Sequence, residues 1–99
     1  MRLTYSQEQV ARTIKITKLV GDKNNLLILF ELMNIGDKSF NELKRMTAIN
    51  PVTLSKKLST LKKEGFVSSR KSGKENHYYI AEKSEILRPI IKDIEALVL

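Results

Sequence analysis

NPVTLSKKLSTLKKEG, residues 50–65, is the stretch on which the reading of this chain turns. Asn50 is a strong N-cap, and Pro51 suits the first helical position, where its missing N–H costs nothing. Gly65 is a stop, so the pattern predicts a helix from Pro51 to about Lys63. At roughly 100° per residue, Leu54, Leu58 and Leu61 cluster within about 60°, a stripe that seats the helix on its own core. The side facing away carries Val52, Thr53, Lys56, Ser59, Thr60 and Lys63, with Ser55 and Lys57 on the shoulders. An ordinary solvated helix face would intersperse carboxylates among such lysines, yet Glu64 is the only acid in the stretch. Short hydroxyls can donate to or accept from base edges, valine and threonine methyls can meet a thymine methyl, and lysines reach guanine acceptors or phosphates. A helix of this length and composition fits the major groove of B-DNA, about 12 Å wide.

Upstream, Ser39-Phe-Asn-Glu42 has the form of a capping box. It opens a short helix from Phe40 to about Met46, with Phe40, Leu43 and Met46 spaced for one buried face. Thr47-Ala48-Ile49 makes the turn, so residues 39–64 read as helix, turn, helix. The amide end of the first of these helices, at Ser39, could meet a phosphate. Before it, a weaker box at Ser6-Gln-Glu-Gln9 starts a helix from Gln7 to about Leu19 that Gly21-Asp22 breaks. Asp22 or Asn25 can cap a second helix, Leu26 to about Met33, which is apolar nearly all round and belongs in the core.

Downstream the period changes. Residues 66–71 and 76–81 are two short extended runs around Ser72-Gly-Lys-Glu75, the pattern of a β-hairpin. Arg70, Lys71 and Lys74 surround its tip. A basic hairpin tip after a recognition helix is the wing of a winged helix-turn-helix domain, here about residues 66–81. Ser84 can cap a last helix over about 85–99, apolar at Leu87, Ile90, Ile91, Ile94, Leu97 and Val98. The expected fold is mainly α with a small β-hairpin wing, in a single domain over residues 1–99.

Charge is unevenly distributed. The net charge is +7. Between Lys44 and Lys74 nine Lys/Arg face one acid, while the remaining segments hold nine basic and ten acidic residues. The whole positive surplus therefore sits in one central block, which suits a polyanion such as double-stranded DNA. The absence of cysteine removes disulfide, thiolate-metal and cysteine-nucleophile chemistry. No apolar signal core opens the chain, and its longest apolar run, residues 26–30, is far short of the roughly 20 residues of a spanning helix. A soluble, cytoplasmic protein with no membrane partner is expected.

The run from Gly21 to Lys71 resembles the HxlR-type winged helix regulators, relatives of the MarR and ArsR groups, which typically read GGKW-LLIL-L---G--RF-EL----GIS---L---L--LE--GLV-R. The matching positions are Gly21, Asp22 and Lys23, the LLIL of residues 26–29, Phe40, Glu42, Leu43, Leu54, Leu58, Leu61, Gly65 and Val67. Residues 78–83 resemble the family's Y-L-T-G stretch after the wing, and residues 87–90 its L-P-V entry to the last helix. Asn24 stands where the family has tryptophan, and the N-terminal cysteine common in the family is absent, so thiol sensing is not carried over. The resemblance implies a homodimer built by the first and last helices on a near-palindromic operator. The residues point the same way: Leu87, Ile91, Ile94 and Val98 repeat at 4-3-4 spacing beside Ile90 and Leu97, and Val10 and Ile14 line the first helix.

Catalysis is not expected. His77, the only histidine, lies in a strand, the carboxylates are scattered, and no glycine-rich phosphate loop occurs. No metal ligand set, cofactor or catalytic group is assigned, and any small-molecule inducer stays open. Two functions remain: a dimeric, sequence-specific DNA-binding regulator, and a winged helix that uses its basic face on an acidic partner protein. In the first, Ser39, Asn50, Val52, Thr53, Ser55, Lys56, Lys57, Ser59, Thr60 and Lys63 meet the duplex, together with Arg70, Lys71 and Lys74 of the wing.

Overall fold

The structure, a computed structural model, describes residues 4–84 and 87–98. Its elements run α1 (Gln7–Gly21), α2 (Lys23–Ile35), β1 (Lys38–Ser39), α3 (Phe40–Thr47), α4 (Pro51–Lys63), β2 (Val67–Ser72), β3 (Glu75–Ile80) and α5 (Leu87–Val98), with a 3-10 turn at Glu82–Ser84. The expected helices and hairpin are present, with α1 and α2 each longer than their apolar periodicity alone predicts. Among the described residues no helix is long and apolar enough to cross a membrane.

The caps act as their residue types dictate. Ser6 and Gln9 form a reciprocal box at α1, and Ser39 and Glu42 another at α3. At α4 the Asn50 side-chain oxygen accepts from the amides of Val52 at 2.9 Å and Thr53 at 3.4 Å. Asp22, rather than Asn25, caps α2: its Oδ2 accepts from the Asn25 amide at 3.0 Å. The end of α4 is a Schellman motif, in which the Phe66 amide donates to Leu61 O at 2.9 Å and that of Gly65 to Lys62 O at 3.1 Å. Gly65, at φ +84°, takes the left-handed position that this motif requires.

Three helices and the sheet enclose one core. Ile28, Leu29, Leu32 and Met33 of α2 pack with Leu43 of α3 and with Leu54, Leu58 and Leu61 of α4. Phe66, Val67 and Ile80 of the hairpin close it, and Tyr78 packs against it. The sheet has the antiparallel order β1-β3-β2, with Ser39 and Arg70 both opposite His77. The two-residue strand β1 is not readable in the sequence. It tethers the hairpin to the start of α3. Ser72 pairs with Glu75, so the wing turn is only Gly73-Lys74, with Gly73 at φ +66°.

Two cations close the C-terminal end of α2, where unpaired carbonyls and the helix dipole favour positive charge. The buried Lys38 donates to Glu31 O at 2.9 Å and Arg88 of α5 to Met33 O at 2.6 Å. The helix start expected after Ser84, at residues 85–86, lies outside the described residues, but the Ser84 side chain itself is placed. Its hydroxyl donates to Gly65 O at 2.8 Å, tying the 3-10 turn to the end of α4.

The turn between α3 and α4 carries strain. Ala48 sits at φ +58°, where its amide donates to Lys44 O at 3.0 Å. A Cβ in that conformation costs about 1–2 kcal/mol, of which a glycine there returns about 0.4–1 kcal/mol through the looser unfolded chain. Ala48→Gly should therefore raise stability by up to about 1 kcal/mol, read as a higher urea midpoint at unchanged slope. A lower midpoint would contradict the strain at this turn.

Candidate nucleic-acid interface

Burial of Leu54, Leu58 and Leu61 turns the opposite side of α4 outward. Val52 is 64% exposed, an unusual position for valine, and Ser55, Lys56, Ser59, Thr60 and Lys63 are exposed beside it. Thr53 is half-buried at the edge of that face, and the exposed Asn50 commits its side-chain oxygen to the cap. The Thr60 hydroxyl donates to Lys56 O at 3.1 Å, which leaves its methyl and oxygen lone pairs for other contacts.

Both shoulders of α4 are held. On one, Lys57 Nζ lies 3.2 Å from Asp22 Oδ1, at the junction of α1 and α2. On the other, Lys62 Nζ donates to Ser69 Oγ of β2 at 2.7 Å. Beyond the last turn, Glu64 pairs with Lys15 of α1 at 3.0 Å. Lys57, a base-contact candidate in the sequence, is thus half-buried and partnered.

In the wing, Arg70, Lys71 and Lys74 are all exposed, and Arg70 is ion-paired with Asp37, on the far side of β3. Lys74, Asn41 and Asn76 border a groove between the wing turn and the start of α3. Ser39 lines the same groove but is only 4% exposed. Its Oγ accepts from the Glu42 amide at 3.1 Å and its own amide donates to Glu42 Oε1 at 3.0 Å. Both polar groups are thus engaged in the capping box, and Ser39 shapes the groove.

His77 is half-buried on β3 with Nε2 3.7 Å from Glu75. Among the described residues there is no cluster of three or more potential metal ligands. The remaining candidate residues lie elsewhere. Val10, at the first turn of α1, is exposed, and so is Ile14 at its middle, at 51%. Leu97 of α5 is 87% exposed. The side chains of Leu87, Ile90, Ile91, Ile94 and Val98 lie outside the described residues.

Two carboxyls are held below their ordinary range. For Asp22 the main cause is the hydrogen bond from the Asn25 amide, opposed by partial burial and reinforced by Lys57. For Glu42 it is the Ser39 amide, then the Ser39 hydroxyl. A depressed folded-state pKa stabilises at neutral pH and loses that contribution as pH falls through the folded value. Glu42→Gln keeps a competent box and removes the titration. Denaturant unfolding of the wild type should lose stability as pH falls below the ordinary glutamate value of 4.5, and Glu42→Gln should lack that part of the slope. Identical slopes in both proteins would mean that the Glu42 charge does not contribute to the cap.

Comparison with known proteins agrees with this geometry. Residues 19–98 match the model of the HxlR-like helix-turn-helix family. An uncharacterized HTH-type transcriptional regulator of Methanocaldococcus jannaschii is 35% identical over 94 residues, covering 91% of this chain and 99% of that protein. Among solved structures, the AntR antimony-specific transcriptional repressor superposes with a TM-score of 0.83 at 16% identity, over 98% of this chain and 86% of its own. The homodimeric winged helix-turn-helix DNA-binding domain of a possible ArsR-family transcriptional regulator from Mycobacterium bovis gives 0.73 at 23% identity, over 98% and 90% of the two chains. At these identities the two solved structures share the fold.

Proposed function

The chain belongs to the HxlR-like helix-turn-helix family and is a winged-helix transcriptional regulator of the DNA-binding type, and from that premise we propose that it works as a cytoplasmic homodimer reading one operator sequence. One observation carries this reading: the outward face of α4 presents valine, hydroxyls and lysines without a carboxylate, held from both shoulders. In the proposed complex α4 enters the major groove. Val52, Thr53 and Lys56, in its N-terminal half, lie deepest, and Ser55, Ser59 and Thr60 follow. Lys63 sits near the rim, and Lys71 and Lys74 of the wing meet the backbone or minor groove.

A regulator of this kind needs two copies to read a two-fold operator, with half-sites about 34 Å apart. Val10 and Ile14, exposed one turn apart on the same side of α1, supply an apolar surface for a second copy, and Leu97 of α5 is exposed as well. The M. bovis domain of the same fold is homodimeric. Ile14→Asp, at a site 51% exposed, should leave the monomer folded and shift sedimentation equilibrium from dimer toward monomer. A wild-type chain that sediments as monomer at micromolar concentration would rule out this assembly.

Specificity should reside in Thr53, whose methyl and hydroxyl both report on a base pair while carrying no charge. In competition over single-base operator variants, Thr53→Ala should change the preference by roughly 1 kcal/mol or more and leave the salt dependence intact. Lys63→Ala should lower specific and random-duplex affinities together without changing the preferred sequence. The opposite pattern would mean that α4 enters the groove in another orientation.

A further inference from the structure

Two cations of the proposed DNA face are engaged by carboxylates that come from outside the basic block. Asp22 and Asp37 sit at the two ends of α2, the first as its N-cap and the second just after Gly36. Asp22 spans to Lys57 on the shoulder of α4, with the two side chains 36% and 32% exposed. Arg70 stands opposite His77, and Asp37 just precedes Lys38, the partner of Tyr78, so the Asp37–Arg70 pair bridges β3 between the strands on either side. The block's own acid, Glu64, is turned toward Lys15 of α1. Among the described residues, Asp22 and Asp37 are therefore the carboxylates from outside the block that form ion pairs with its cations at this surface.

We propose that Asp22 and Asp37 are specificity-determining positioning residues, each of which holds one cation, Lys57 or Arg70, in a fixed place and withholds it from indiscriminate phosphate contact. The proposal rests on the DNA-binding reading above. Random-duplex affinity comes almost entirely from neutralised phosphates and released counterions, each contact adding about 0.9 to the salt slope. To reach a phosphate, Lys57 or Arg70 must leave its carboxylate, so neither adds a full contact to a non-specific complex. Base contacts by Val52 and Thr53 do not depend on those cations. Intramolecular pairing therefore lowers random binding more than operator binding, and the ratio of the two rises.

The test is a salt titration of the full chain against its operator and a random duplex. It compares the wild type with Asp22→Asn and Asp37→Asn. Asparagine caps a helix as well as aspartate does, so Asp22→Asn keeps α2 intact. Glu8→Gln, on the exposed first turn of α1, makes the same change in net charge with no basic partner among the described residues. Each aspartate variant should steepen the random-duplex slope by about 0.9, worth about eightfold in affinity at 0.1 M salt relative to 1 M, and should lower the operator-to-random ratio. The extra slope of Asp22→Asn should vanish when Lys57 is also replaced, as Lys57→Gln. Slopes that match the wild type or Glu8→Gln would overturn the proposal while leaving DNA binding intact. A wild type that binds neither duplex would overturn the DNA reading, and this proposal with it.

Discussion

Everything that faces outward on α4 is set by what faces inward. Leu54, Leu58 and Leu61 are buried almost completely, against α2, α3 and the base of the hairpin. Burying a leucine side chain contributes about 1.5–3 kcal/mol, and replacing one in a packed core by alanine costs about 2–5 kcal/mol. Rotating α4 by even one residue, roughly 100°, would carry the stripe into solvent and drive lysine or serine into the core. Hydrophobic packing thus fixes the azimuth of the outward face. That face has no freedom to be anything other than Val52, Lys56, Ser59, Thr60 and Lys63.

Electrostatic contacts refine what packing fixes. Partly exposed ion pairs contribute about 0–1 kcal/mol each, too little to compete with the leucine stripe. Their value lies in direction. Lys57–Asp22 ties α4 to the break between α1 and α2, Lys62–Ser69 ties it to the wing, and Glu64–Lys15 ties its end to α1. Capping adds the longitudinal setting: Asn50 and Pro51 start the helix, and the Gly65 Schellman motif ends it with Phe66 turned into the core beside Leu61. Start, end and rotation are therefore fixed by separate physical causes.

These causes differ in how plainly they are written in the chain. Caps and apolar periods are local, so Ser39–Glu42, Asn50-Pro51, Gly65 and the leucine stripe predict their elements closely. The hairpin follows from a change of period around Gly73. Strand β1 is invisible because two residues have no period; it exists only because β3 already lies alongside it. The pairs at Lys57 and Arg70 join residues 35 and 33 positions apart, and nothing in a one-dimensional pattern distinguishes a lysine that will meet Asp22 from one that will meet solvent. The engagement of Ser39 is hidden for a related reason. A serine at a helix start reads equally as a cap and as an anion contact, and burial decides between them. The outward face of α4 was legible as a surface, while the intramolecular engagement of individual cations within the basic block was not.

The first helix shows the limit of local signals most clearly. α1 has a complete capping box and a sound helical composition, yet none of its side chains is buried. Thr13 and Thr17 donate to the carbonyls four residues back, at 2.8 Å each, local bonds that do not supply packing energy. Isolated helices of about 12–15 residues are marginal in water because nucleation is costly and stability comes from packing one face. Within one chain, α1 rests on α2 near Leu19 and Val20 and on the Lys15–Glu64 pair. Its N-terminal half, at Val10 and Ile14, has no such support among the described residues. A second copy placed there would bury that stripe, so in the proposed dimer the order of α1 and the association of the two chains are one equilibrium, governed by mass action. The α2–α4 core needs no partner to close. In the proposed dimer the reading surface and the dimer surface are thus stabilised separately, and the Asp22–Lys57 and Lys15–Glu64 pairs are polar contacts that lie between them.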